Sequence, residues 1–106
     1  MNYPLKRVVI TGLGALTPIG NNVTDYWNAL LAGVSGADFI KQFDADKFKT
    51  KFACELKNFN VDDHIDRKES KRLDRFSQLA MVAATEAVEN ANLTDPSINK
   101  DRVGVI

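Results

Sequence analysis

Two short apolar runs set the narrowest limit on this chain's fold: Val8–Val9–Ile10 near one end and "RVGVI", residues 102–106, at the other. Neither alternates apolar with polar residues, so each reads as a strand buried on both faces. The residues between them carry helical periodicity. Strands separated by helices imply a parallel sheet, which needs helices over both of its faces. A chain of 106 residues can bury a core, though little more than the minimum for that arrangement. Only two such strands stand out, and the chain stops inside the second. The expectation is an α/β unit that forms part of a longer chain.

The first strand leads into Gly12-Leu13-Gly14, followed by Pro18 and Gly20, which break the chain into a loop. A dinucleotide-binding loop needs a third glycine where a helix packs on the strand. Thr17 stands there instead, and the next helix begins only near Asn22, too late to meet a pyrophosphate. A P-loop fails as well, since no Gly-Lys-Ser/Thr follows. The glycines therefore read as places where backbone turns sharply and packs closely. Asn22 can cap a short helix in which Val23, Trp27, Leu30, Leu31 and Val34 recur at helical spacing, with Gly33 as its stop.

Residues 35–60 are less regular. Phe39, Phe43, Phe48 and Phe52 are separated by charges, as in a loop pinned by aromatic anchors. Phe52, Cys54 and Leu56 alternate with Ala53, Glu55 and Lys57, predicting one short strand with a single buried face. A long helix is expected over 67–92. Asp66 and Glu69 have the spacing of a capping box, and Leu73, Phe76, Ala80, Ala83, Ala84, Ala87 and Ala91 form one stripe. So many alanines on a buried stripe imply close approach to another backbone.

Formal net charge is zero, which gives no reason to expect nucleic-acid binding. The single cysteine, Cys54, excludes an internal disulfide and suits a reducing compartment; it reads as a small buried hydrophobe. The opening MNYPLKR and the three apolar residues after it cannot build a signal-peptide core or a membrane span, so a cytoplasmic protein is expected. His64, the only histidine, lies in "DDHID". Asp62, Asp63 and Asp66 could join it around a metal, but carboxylates at a helix entrance also complement its dipole, and that reading is preferred. No residues pair as nucleophile and base. Lys68, Lys71, Arg72 and Arg75 fall at i, i+3, i+4 and i+7, on one helix face roughly 125° from the alanine stripe. In the first turns of a helix the dipole disfavours cations by about 0.3–1 kcal/mol each. Stability alone would place carboxylates there, so the pattern admits either a solvated face or a binding surface.

Taken together, "RVVITGLGALTPIGN", "YWNALLAGVSG", "FDADKFKTKFACELKNFN" and "DRKESKRLDRFSQLA" resemble the start of a β-ketoacyl acyl-carrier-protein synthase, most closely the type II condensing enzyme of bacterial fatty-acid synthesis. The resemblance runs from Arg7 to Ile106. It implies the N-terminal portion of the first half-domain of a thiolase-like α/β fold, with a mixed sheet covered by helices and incomplete in this chain. It also implies a homodimeric parent with no cofactor or metal, no nucleic-acid partner and no membrane partner. Such enzymes join a malonyl unit on acyl carrier protein to an acyl chain held on a cysteine. That cysteine sits in a motif resembling Thr-Ala-Cys-Thr/Ser, and two histidines follow later; none of these motifs occurs here. Cys54 and His64 match no catalytic position of the family. What the resemblance does carry over is docking of the acidic carrier protein, onto Lys68, Lys71 and Arg72 with Arg67 and Arg75 as neighbours. Type I condensing enzymes and polyketide ketosynthases are the alternatives, and a nucleotide-binding α/β module is a remote one.

Overall fold

Asn22 starts the first helix as its sequence predicts, accepting a hydrogen bond from the Asp25 amide through its side chain. The helix, α1, spans Val23–Leu31. Gly33 (φ +67°) closes it: its amide donates to Leu30 and the Val34 amide to Ala29, which satisfies two carbonyls that the helix end would leave bare. The computed structural model describes residues 4–106, so Met1–Tyr3 of the opening MNYPLKR lie outside the described residues. After α1 comes a two-residue antiparallel pair, β1 (Asp38–Phe39) with β2 (Phe52–Ala53), in the register Asp38 opposite Ala53 and Phe39 opposite Phe52. A 3-10 turn at Val61–Asp63 precedes α2 (Arg67–Ser70) and α3 (Arg75–Asn90), and a second 3-10 turn follows at Lys100–Arg102.

Three expectations need correction. The two apolar runs form no ladder: Val8, Val9 and Ile10 are 89%, 63% and 82% exposed, and Val103 and Val105 also face solvent. A strand exists through hydrogen bonds to its neighbours. These two runs do not pair with each other, and no third run of their kind lies in this chain. The expected single helix over 67–92 is two helices with a turn at Lys71–Asp74. The strand near Phe52 is only two residues long and presents its apolar side outward, with Phe52 and Cys54 exposed. Cys54 is therefore not the small buried hydrophobe that its alternation implied.

The glycine loop behaves as its sequence predicts. Gly12-Leu13-Gly14 lies directly on the backbone of α3. A methyl group on Gly14 would sit 1.8 Å from the Ala83 carbonyl oxygen, and one on Gly12 would sit 2.5 Å from that of Ala87 and 2.7 Å from the Ala91 methyl. Small residues on both sides permit this approach, which is the close contact that the alanine stripe implied. Polar groups fix its register. The Leu13 amide donates to Asn90 (3.2 Å), and the Glu86 carboxylate accepts from the Ala15 amide with one oxygen and from the Val23 amide with the other, both at 2.9 Å. Val23 is the first residue of α1, so the same carboxylate also meets the positive end of that helix. Beyond the loop, Thr17 and Gly20 exchange backbone hydrogen bonds around a tight turn.

A second fastener joins the loops on the other side. The Lys57 ammonium donates to the carbonyls of Gly36 (2.8 Å), Pro18 (3.4 Å) and Glu55 (3.4 Å), while the Asn21 amide group donates to those of Lys57 and Asn58. Asn58 takes a left-handed backbone (φ 52°), a conformation that asparagine tolerates.

These contacts assemble loops on helices without closing a core. Among the described apolar side chains only Ile65 and Val82 are buried, and the radius of gyration is 18.2 Å. A compact chain of this length would have about 13 Å. The half-buried face of α3 runs through Leu79, Val82, Ala83, Glu86 and Ala87, while Phe76, Ala80 and Ala84 of the expected stripe are exposed.

Gly14→Ala is expected to destabilise the full-length protein by about 3 kcal/mol or more, because the clash is with helix backbone that no rotamer change can move. Glu86→Gln is expected to cost about 1–3 kcal/mol, since its amide nitrogen cannot accept from either backbone N–H. Denaturant melts of the two variants against the parent protein check both values.

Candidate functional site

Any phosphate proposed for the glycine loop would meet a filled site. The Gly12 and Gly14 backbone is pressed against α3, and the Ala15 and Val23 amides that could hold an anion already donate to Glu86. A second anion there would face a carboxylate. The loop is a packing element.

The "DDHID" segment is likewise engaged in local structure. Asp62 accepts from the Ser70 hydroxyl (3.3 Å), and Asp66 caps α2 by accepting from the Lys68 amide (3.0 Å). His64 stacks on Phe59, with ring centroids 5.3 Å apart. Among the described residues no three His, Cys, Asp or Glu side chains gather as a metal site would require.

Arg67, Lys68, Lys71, Arg72 and Arg75 are all exposed, and they follow one another along a short stretch of surface. The backbone under them differs from the single helix that the spacing implies. Arg67 and Lys68 lie in the one turn of α2, Lys71 is its C-terminal cap, Arg72 lies in the turn, and Arg75 opens α3. The turn is shaped by bonds of 3-10 type, from the Arg72 amide to Glu69 and from the Leu73 amide to Ser70. Gln78, one turn into α3, reaches back and donates to the carbonyls of Ser70 (2.8 Å) and Leu73 (3.3 Å). Ser70 itself is 3% exposed and anchors the end of α2 against Asp62.

This changes the electrostatic argument. A one-turn helix has little dipole, so only Arg75 sits where a helix N-terminus opposes a cation. Asp74, the residue before it, makes no side-chain cap bond to α3. Among the described residues the one ion pair is Lys41 with Asp38 (3.4 Å) on the β1–β2 hairpin. There the Phe39 amide and then Lys41 hold the Asp38 carboxyl below its ordinary pKa. Among the described residues the five cations are thus in no ion pair. Arg75 is distinguished in another way: its guanidinium carbon lies over the Phe59 ring, 5.3 Å from the centroid. Periodicity places Lys68, Lys71, Arg72 and Arg75 on one face, and only the family resemblance adds Arg67; neither shows this contact, which joins residues 16 apart in sequence across the 3-10 turn and α2.

Comparison with known proteins places the chain in a family. The family model for the beta-ketoacyl synthase N-terminal domain matches residues 5–106, and the chain belongs to that family. It is 54% identical over 100 residues to a 3-oxoacyl-[acyl-carrier-protein] synthase 2 of Staphylococcus aureus (strain COL), covering 94% of this chain and 24% of that protein. With the Synechocystis sp. protein of the same name it shares 45% identity over 105 residues, covering 99% of this chain and 25% of that one. Among solved structures, the ishigamide ketosynthase/chain length factor superposes with a TM-score of 0.69 at 33% identity, covering 91% of this chain and 23% of the other. The architecture is accordingly part of the thiolase-like α/β fold. The chain spans about a quarter of the length of the curated relatives it matches. No helix among the described residues is long and apolar enough to cross a membrane.

Gln78→Ala removes the donor that ties two turn carbonyls and is expected to cost about 1–2 kcal/mol. Hydrogen exchange should quicken at the Arg72 and Leu73 amides more than at amides in the middle of α3. Uniform acceleration along α3 would show instead that Gln78 stabilises the helix as a whole.

Proposed function

We propose that this chain is the N-terminal portion of the first thiolase-like half-domain of a 3-oxoacyl-acyl-carrier-protein synthase of type II. The full-length enzyme condenses malonyl-acyl-carrier-protein with an acyl chain, with loss of carbon dioxide, to give the 3-oxoacyl product of fatty-acid elongation. The condensing cysteine and both histidines belong to the remainder of such an enzyme, and the present segment on its own is inactive. Its contribution is structural core and a surface for the incoming carrier protein. The enzyme acts in the cytoplasm as a homodimer.

The observation that carries the docking role is the run of exposed cations at Arg67, Lys68, Lys71, Arg72 and Arg75, with no carboxylate among the described residues paired to any of them. The span 67–75 gathers five cations against two carboxylates, Glu69 and Asp74, an excess that a solvated surface in a chain of zero net charge does not require. An acidic partner supplies the reason, and the relatives' name includes an acyl carrier protein. Identity of 54% to a 3-oxoacyl-[acyl-carrier-protein] synthase 2, against 33% to the ishigamide ketosynthase/chain length factor, supports the type II reading.

Single Lys→Ala changes should be mild, because exposed ion pairs contribute only about 0.2–1 kcal/mol each. Reversing Lys68, Lys71 and Arg72 to Glu together replaces attraction by repulsion. In the full-length enzyme kcat/KM with carrier-bound substrates should then fall about ten-fold or more at low salt, and the loss should shrink as salt rises. Short pantetheine or coenzyme A thioesters need no protein docking, so their turnover should fall far less. Equal losses for both substrate classes would mean that the substitutions damaged the fold, and the docking role would be dropped.

A further inference from the structure

The geometry points to Arg75 as the pre-positioned anchor of the basic surface, held by an aromatic platform of Phe59 and His64 and aimed at a carboxylate of the acidic partner. This rests on the docking role proposed above and adds to it a division of labour among the cations. Phe59 is half-buried, and its ring is shared: His64 stacks on it at 5.3 Å with an interplanar angle of 22°, and the Arg75 guanidinium carbon lies 5.3 Å from the same centroid. The platform is itself constrained. Asn60 caps the 3-10 turn through the Asp62 amide, His64 closes that turn through Val61, and Asp62 is tied to the buried Ser70. Phe59 and His64 thus flank a fixed turn.

A ring against a guanidinium attracts its charge without using its N–H donors. Among the described residues Arg75 is in no ion pair, which leaves its fork available for two parallel bonds to a carboxylate. Lys68, Lys71 and Arg72 have no aromatic contact among the described residues. On binding, each must give up the rotamer freedom of a long side chain. Arg75 has already lost part of that freedom. The other cations attract the partner from a distance, and Arg75 sets where it comes to rest. Phe59 and His64 act through Arg75 as positioning residues.

The test measures affinity of the full-length enzyme for acyl carrier protein by calorimetry at low salt, with each variant first matched to the parent by near-ultraviolet circular dichroism. Phe59→Leu keeps an apolar side chain but removes the ring, and affinity should fall about two- to five-fold, the range of an exposed cation–π contact. Phe59→Tyr keeps the ring and should retain parental affinity. Arg75→Ala should weaken binding more than Phe59→Leu, with Arg75→Lys between them and the parent because it keeps the charge and loses the fork. The double variant should bind no more weakly than Arg75→Ala alone, since the platform acts only through the arginine. Parental affinity in Phe59→Leu, an equal loss in Phe59→Tyr, or losses that multiply in the double variant would each overturn the inference. The triple charge reversal at Lys68, Lys71 and Arg72 separates the two readings. If it weakens binding while Arg75→Ala does not, only the anchor is lost; if it leaves binding intact, the docking surface itself is refuted.

Discussion

The contact on which the rest of this structure depends is backbone against backbone: Gly12 and Gly14 on the last turns of α3 and its cap, from Ala83 to Ala91. Neither glycine can grow by one carbon there. Because the loop lies so close, the carboxylate of Glu86 can reach two amides at once, one in the loop and one at the start of α1. A single side chain on α3 therefore sets the position of the loop and of the first helix together. Hydrogen bonds of this length to an ionised acceptor are among the stronger ones in proteins. The arrangement also settles how the loop differs from a phosphate-binding one. In both, glycines admit something bulky against bare backbone, but here the visitor is the protein's own helix and the anion is its own glutamate.

What could be read from sequence follows from the range of the interaction concerned. The start and stop of α1 depend on Asn22 and Gly33 and on amides within a few residues of each, so local chemistry was enough. Glycines opposite alanines were legible because their meaning is steric and needs no partner to be named in advance. The turn between α2 and α3 was not legible. Helical spacing runs on unbroken through Leu73 and Phe76, and the bonds that favour the break come from Gln78 and from the buried Ser70. The apolar strands fail for the opposite reason. Their sequences are those of buried strands, but a strand is a relation between neighbours, and Val8–Ile10 and Val103–Ile106 have none among the described residues. Cys54 was misread with its strand, because alternation fixes two faces without saying which one is inward.

The candidate surface was legible as a set of residues and not as a geometry. Charge can be counted along a sequence, and five cations within nine residues remain five cations whether one helix or two carries them. A helix dipole that opposes these cations needs a single helix, and with two helices it acts on Arg75 alone. That narrowing sharpens the physical picture. Cations spread over a helical turn, a cap, a bend and a new helix start sit on backbone held by different bonds.

Such a surface suits two demands that pull in different directions. Steering over distances near a Debye length depends on summed charge and is indifferent to the exact position of each ammonium. Final seating depends on position and cannot be served by groups that must each be ordered at the moment of contact. Flexible lysines meet the first demand cheaply in structural terms, since they need only be exposed. The second needs a charge fixed in advance, which requires neighbouring atoms that fix it without neutralising it. A carboxylate beside Arg75 would fix it and cancel it; an aromatic ring fixes it and leaves the charge whole. In this chain the ring lies against the one arginine that also opens the long helix, so the proposed anchor is referred directly to α3 and, through Glu86 and the glycine loop, to α1.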